Sequence, residues 1–186
     1  MKKQIFLPIV IVAVLLSSCT TLKVVETDPE TGYFPTGNQA NVITSVEFDL
    51  DSRKSLILAP NGDFTGNMLK NIGYFDRVIN FEELERIVIE NDLTDEISDI
   101  SNRIGINKAA KAYQPFLWLR WDYRQDGNKK YERLVLTDPI TLEDLFISET
   151  YLDYLWKGVN DQNNNYPAFN ALIDYIEANS KTFRKK

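Results

Sequence analysis

The chain has 186 residues, 27 acidic and 21 basic side chains, 44% apolar content, one cysteine and no histidine. Without histidine there is no Ser-His-Asp or Cys-His mechanism, imidazole base or His-ligated metal. One cysteine gives no internal disulfide and no Cys-rich zinc site, and the length and apolar content fit one acidic globular domain with a proper core.

Met1-Lys2-Lys3-Gln4 is a short positive start, and the stretch Ile5–Leu16 that follows carries no charge. It is too short to cross a bilayer, which takes about 20 residues. It has the size of a signal-peptide apolar core and is set aside from fold reasoning. Leu16-Ser17-Ser18-Cys19 closes it and resembles the lipobox of bacterial lipoproteins. The resemblance implies that 1–18 is a signal peptide, cleaved between Ser18 and Cys19, and that Cys19 carries the lipid. It places the mature chain in the bacterial cell envelope, lipid-anchored at the outer membrane and facing the periplasm or the cell surface. Removing 1–18 takes away Lys2 and Lys3 and no acid, so the net charge falls from −6 to −8. Such a surface is repelled by phosphates, which leaves acyl chains as the membrane attachment and argues against nucleic acid.

Residues 19–43 are expected to form a lipid-anchored tether, because Asp-Pro, Thr-Gly and Phe-Pro punctuate them and no helical period runs through them. Such a stretch either lies along the domain or acts as a spacer. The spacer is the preferred reading, and from residue 20 to 43 it would reach about 80 Å when extended. One domain is expected over 44–181, followed by a basic tail, 182–186.

Within the domain, alternation of Val46, Phe48 and Leu50 predicts an edge strand, and Ser55–Pro60 a buried one. Asp63 or Thr65 is the expected cap of a helix ending near Gly73, and Arg77–Asn80 a short strand. Asn80 and Glu83 form a capping-box pattern opening a helix over Phe81–Glu90, with Leu84, Ile87 and Val88 inward. Thr94 is the expected cap of a helix that buries Ile97, Ile100 and Ile104 and stops at Gly105. A short helix through Ala109, Ala110 and Ala112 follows. Asp126-Gly127-Asn128 joins strands 116–125 and 129–137 into a hairpin. Thr141 is the expected cap of a long helix through Leu142, Leu145, Phe146, Leu152, Leu155, Trp156 and Val159. A last helix turns Phe169, Leu172, Ile173 and Ile176 inward. The fold class is α/β: a single mixed sheet of about four to five strands including the hairpin, packed by helices, with a C-terminal helical pair.

A strand ending in Ala59-Pro60, a helix, Gly73-Tyr74-Phe75-Asp76-Arg77-Val78-Ile79 and a Glu-Leu helix resemble the TolB N-terminal, CsgG and LpoB-like type of envelope lipoprotein domain. So do Arg103-Ile104-Gly105, the aromatic hairpin and Leu136–Glu143. The likeness spans about residues 55–150. The chain departs from the type at Trp118-Leu119-Arg120, where a glycine is common, and in its C-terminal helical pair.

Chemistry-bearing patterns are sparse. Asn61-Gly62-Asp63-Phe64-Thr65-Gly66 has neither a Walker ending nor a dinucleotide fingerprint and is expected to be a plain strand-to-helix turn. Asp161, Asn163 and Asn165 imitate the start of a calcium loop, but Tyr166 and Leu172 stand where its glycine and closing glutamate belong. Asp92, Asp95, Glu96 and Asp99 are explained by capping. No catalytic, metal or cofactor site is expected. Of the hairpin aromatics Tyr113, Phe116, Trp118, Trp121 and Tyr123, the last two could join Arg124 and Tyr131 in a partner-binding patch. The resulting expectation is a non-catalytic envelope lipoprotein, not an enzyme, acting as a membrane-tethered adaptor or assembly factor for a protein partner. The alternative is a surface lipoprotein that binds glycans through the aromatic patch.

Overall fold

The computed structural model describes residues 22–152 and 161–185. The expected signal peptide 1–18, with Ser18, and Cys19, Leu155, Trp156 and Val159 lie outside them.

Six strands form one sheet: β1 (Asn41–Ser45), β2 (Ile57–Leu58), β3 (Val78–Ile79), β4 (Leu117–Asp126), β5 (Lys129–Asp138) and β6 (Glu143–Tyr151). Four helices accompany it: α1 (Asp63–Ile72), α2 (Phe81–Glu90), α3 (Arg103–Ala112) and α4 (Asn165–Asn179). The strand order is β1-β6-β5-β4-β2-β3. β2 runs parallel to β3 and β4, while β4, β5, β6 and β1 are joined antiparallel. The sheet is therefore mixed, as expected, with one or two strands more than foreseen.

Successive strand side chains point to opposite faces, and two apolar layers result. On one face Leu117, Leu119, Leu134, Leu136 and Phe146 pack with Phe64, Met68 and Leu69 of α1 and with Phe169, Leu172 and Ile176 of α4. On the other, Leu56, Leu58, Ile79, Phe116 and Trp118 pack with Leu84, Ile87 and Val88 of α2 and with Ile106, Ala109 and Ala110 of α3. This second layer ends at Trp118 and takes no buried residue from β5 or β6. That boundary creates the candidate site.

Several elements form for the expected reasons. Asn80 accepts from the Glu83 N–H at 2.9 Å while Glu83 accepts from the Asn80 N–H at 3.2 Å, a complete capping box. Gly73 ends α1 in the left-handed region, with φ 72°. Gly127 turns the hairpin at φ 56°, in keeping with the mirror-image turns that match strand twist.

Other expectations are corrected. Neither Asp63 nor Thr65 caps α1. Gly62 holds that position, and Thr65 is buried beneath β4 instead. The edge strand sits at Asn41–Ser45, ahead of Val46–Leu50, and Leu50 opens a 3₁₀ turn, Leu50–Ser52. No helix starts at Thr94. The chain turns through 93–102, and Asn102 caps α3 by accepting from the Gly105 N–H at 3.0 Å. Gly105, expected as a stop, lies in the first turn of α3, and Ile104 is exposed. The helix expected from Thr141 is, as far as Tyr151, strand β6. Asp138 holds the β5–β6 turn through the Ile140 N–H (3.0 Å) and the Thr141 hydroxyl (3.3 Å). Leu142, at φ 63°, returns its N–H to the Asp138 carbonyl at 2.8 Å.

Residues 22–43 run along the domain rather than away from it. Phe34 is buried in the first core layer, and its backbone N–H and carbonyl are paired with the Asn170 amide at 2.8 and 2.9 Å. The C-terminal residues are also packed. Asp51 accepts from the Ser180 and Thr182 hydroxyls and the Lys181 N–H, and Tyr74 stacks edge-on against Phe183. These bonds hold the Asp51 carboxyl well below the usual carboxylate range, with Ser180 the largest contributor.

Candidate binding surface

Past Trp118 the second sheet face carries charged and aromatic side chains around an apolar pair, Val135 and Ile147. Arg124 stands opposite Tyr131, Tyr131 opposite Tyr151, Arg133 opposite Glu149, and Glu149 opposite Asn41. Residues directly opposite share a face, so four strands contribute to one surface.

Two ion-pair groups organise it. Glu149, 5% exposed, accepts from Arg124 (Nε 3.1 Å, Nη2 3.0 Å) and from Arg133 Nε (3.2 Å). These bonds, that of Arg124 foremost, lower the Glu149 carboxyl below its ordinary value against the effect of burial. Asp144 takes the second group, receiving Arg120 Nη2 at 3.1 Å and the Thr137 hydroxyl at 2.7 Å, with Arg103 at 3.7 Å. Burial would raise the Asp144 carboxyl, but Thr137 and the two arginines outweigh it and lower it. The guanidinium of Arg120 lies 5.1 Å from the Trp118 ring, and that of Arg124 lies 4.1 Å from the Tyr131 ring. Every charge in this lattice has a partner.

At one end the surface opens into a groove of about 370 Å³, lined by Tyr131, Tyr151, Asn38, Gln39, Asn41 and Asn163 among others. The Tyr131 and Tyr151 rings are 5.6 Å apart and tilted by 51°. Arg124 covers Tyr131, whereas Tyr151 is 48% exposed. Thr150 also lines the groove, and among the described residues its buried hydroxyl has no hydrogen-bond partner. A larger groove of about 580 Å³ separates residues 28–42 from α4, but Lys185 covers its Tyr33 ring at 4.4 Å.

The four residues expected as one patch are divided between faces. Arg124 and Tyr131 belong to the surface just described. Trp121 lies on the opposite face, where its indole N–H donates to Thr65 Oγ1 at 2.9 Å and its ring meets Phe169 edge-on at 5.8 Å. Trp121 is thus a packing residue. Tyr123 follows the same alternation but sits beyond the core, 66% exposed, with its hydroxyl donating to Glu132 at 3.1 Å. Arg120, Arg133, Asp144, Glu149 and Tyr151 complete this surface without belonging to the expected patch. The recurrence of Arg120, Asp122 and Arg124 at every second position of β4 signals a polar face. The contribution of β6 was hidden because that segment looks helical.

The remaining patterns have local roles. Asn61 accepts from the Phe81 N–H at 3.0 Å, so the turn after β2 serves the start of α2. Asp161 accepts from the Asn165 amide at 2.9 Å, and Asn163 from the Asn38 amide at 2.8 Å. Asp99 accepts from the Ser101 N–H at 2.7 Å and the Asn102 amide at 2.6 Å, bracing the cap of α3. Among the described residues no group of three or more acidic or cysteine side chains is placed to hold a metal, and no helix is long and apolar enough to cross a membrane.

Fold and surface together define an α/β domain with one helix-covered sheet face and one face half open and polar. No family model and no curated protein matches the chain. Among solved structures it is similar to the LpoB C-terminal domain from Salmonella enterica, at 13% identity and a TM-score of 0.34. It is also similar to that domain from Escherichia coli, at 14% identity and a TM-score of 0.36. Each match covers 55% of this chain and 84% of the other.

Proposed function

We propose that the protein is a non-catalytic cell-envelope lipoprotein whose domain acts as a membrane-tethered adaptor, binding a protein partner through the open face of β4, β5, β6 and β1. The observation that supports this is the paving of that face by Arg120, Arg124, Arg133, Tyr131 and Tyr151, pre-ordered by Asp144 and Glu149. Arginine and tyrosine dominate the energetics of protein interfaces, and side chains already fixed in place lose less entropy on binding. Each of these guanidinium groups is already held by a carboxylate, which suits a shape-matched partner better than a free anion.

The groove at Tyr151 favours a second reading, glycan binding. An exposed ring beside the amides of Gln39 and Asn41 offers a stacking surface and hydrogen bonds to a sugar.

The test is a photo-crosslinking amino acid placed at Tyr151, on the open face, and separately at Tyr123, on the opposite face, in intact envelopes. The adaptor reading expects one discrete protein adduct from position 151 and not from 123. Adducts only with lipid-processing machinery count against it. Retention on envelope oligosaccharides that Tyr151→Ala abolishes, with no protein adduct, selects the glycan reading.

A further inference from the structure

The distance from the anchor to the domain follows from where the chain first touches the fold. Lys23 donates its backbone N–H to Asp161, and its carbonyl accepts from the Tyr166 hydroxyl at 2.7 Å. The Val25 carbonyl accepts from the Asn71 amide at 2.8 Å, and the Val25 side chain packs against the first core layer. The extended alternation that turns Val25 inward leaves Leu22 59% and Val24 37% exposed. Only four peptide steps separate Lys23 from Cys19. At about 3.3–3.6 Å per residue they span at most about 14 Å, against about 80 Å for a free tether ending at residue 43.

We propose that residues 22–25 seat the domain directly on the lipid bilayer, with Leu22 and Val24 entering the headgroup layer, so that the domain has a fixed orientation instead of ranging on a spacer. The inference rests on the lipoprotein reading, since acylation of Cys19 supplies the anchor. The occupant is a lipid surface because the covalent reach ends there. Two exposed apolar side chains lie within that reach, where the anchor keeps them at high effective concentration. The acidic net charge gives no electrostatic attraction to anionic lipid, so the contact is apolar.

Acylated full-length protein in phosphatidylcholine–phosphatidylglycerol vesicles tests this directly. Cys19 is the only cysteine and is blocked by its lipid, so added cysteines label singly. A dye at Lys70→Cys, beside Asn71, reports distance through energy transfer to headgroup acceptors, and Lys111→Cys on α3 is the reference. Strong transfer from position 70, lost when Asn71→Ala and Tyr166→Phe together release the segment, is the expected result, with folding checked by circular dichroism. A nitroxide at Val24→Cys should also collide with lipid-dissolved oxygen more than with an aqueous nickel chelate. Membrane-bound protein with equally weak transfer from 70 and 111, or a position-24 label shielded from lipid, overturns this inference alone. If expression of the full chain in a bacterial host yields only unacylated protein in the soluble fraction, the inference falls together with the lipoprotein reading.

Discussion

Gly105 shows how a single residue decides a local structure. A Cβ placed there would lie 1.5 Å from the Asp99 carbonyl oxygen and 2.6 Å from its carbonyl carbon, so the first turn of α3 reaches 99–100 only because this position has no side chain. The neighbouring atoms are backbone and cannot swing aside. Gly105→Ala should cost about 3 kcal/mol, at the upper end of overpacking, read as a lower urea midpoint. A variant with an unchanged midpoint would contradict the close approach. A glycine after an apolar run ordinarily marks a helix end, which is why the sequence predicts a stop at this position. Trp121 is ambiguous for another reason. Its position on β4 was legible from alternation, but whether α1 and α4 extend far enough to cover it depends on tertiary packing, and Thr65 and Phe169 show that they do.

Among the elements, β6 is the instructive one. Thr141 followed by two acids and paired apolar residues has the pattern of a capped helix, and propensity alone does not argue otherwise. The register explains the ambiguity: Leu136 faces Phe146 and Thr137 faces Asp144, leaving Leu145 as the extra residue. Both Leu145 and Phe146 are buried, so the two-residue period is broken where it would have been diagnostic. The capping box of α2 and the hairpin turn were legible because each is set by a few adjacent residues. β6 is set by its partners β5 and β1.

Glu149 joins β4, β5 and β6 electrostatically and carries a pH dependence. Its carboxyl is lowered from its ordinary value of 4.5, chiefly by Arg124. The stabilisation is therefore complete above about pH 4.5 and is lost as pH falls through the lower folded-state value. Asp51, Asp99 and Asp144 are lowered too and act in the same direction. Thermal melts should show stability falling on acidification below about pH 4.5. Glu149→Gln should lower stability by about 2 kcal/mol at neutral pH, as for hydrogen bonds to charged groups, and flatten the acid slope. An unchanged slope would show that the lattice does not hold the three strands together.

At the scale of the whole molecule, residues 22–43, the leader, pack on the same domain that carries the open face. The leader's Pro and Gly punctuation correctly predicts a lack of helix, yet irregular backbone can pack as well as extend. Phe34, Val25 and their hydrogen bonds to Asn170 and Asn71 draw it onto the domain. If the domain is seated on lipid as proposed, that seating would also set which way the open face points. The lipoprotein reading and the seating on lipid both depend on Cys19 carrying the anchor. Metabolic labelling with radioactive palmitate, comparing the wild-type chain with Cys19→Ala, tests it most directly. Label on the wild-type protein that disappears in the variant is the predicted result. Label that persists in Cys19→Ala, or that never appears on the wild type, would contradict the account.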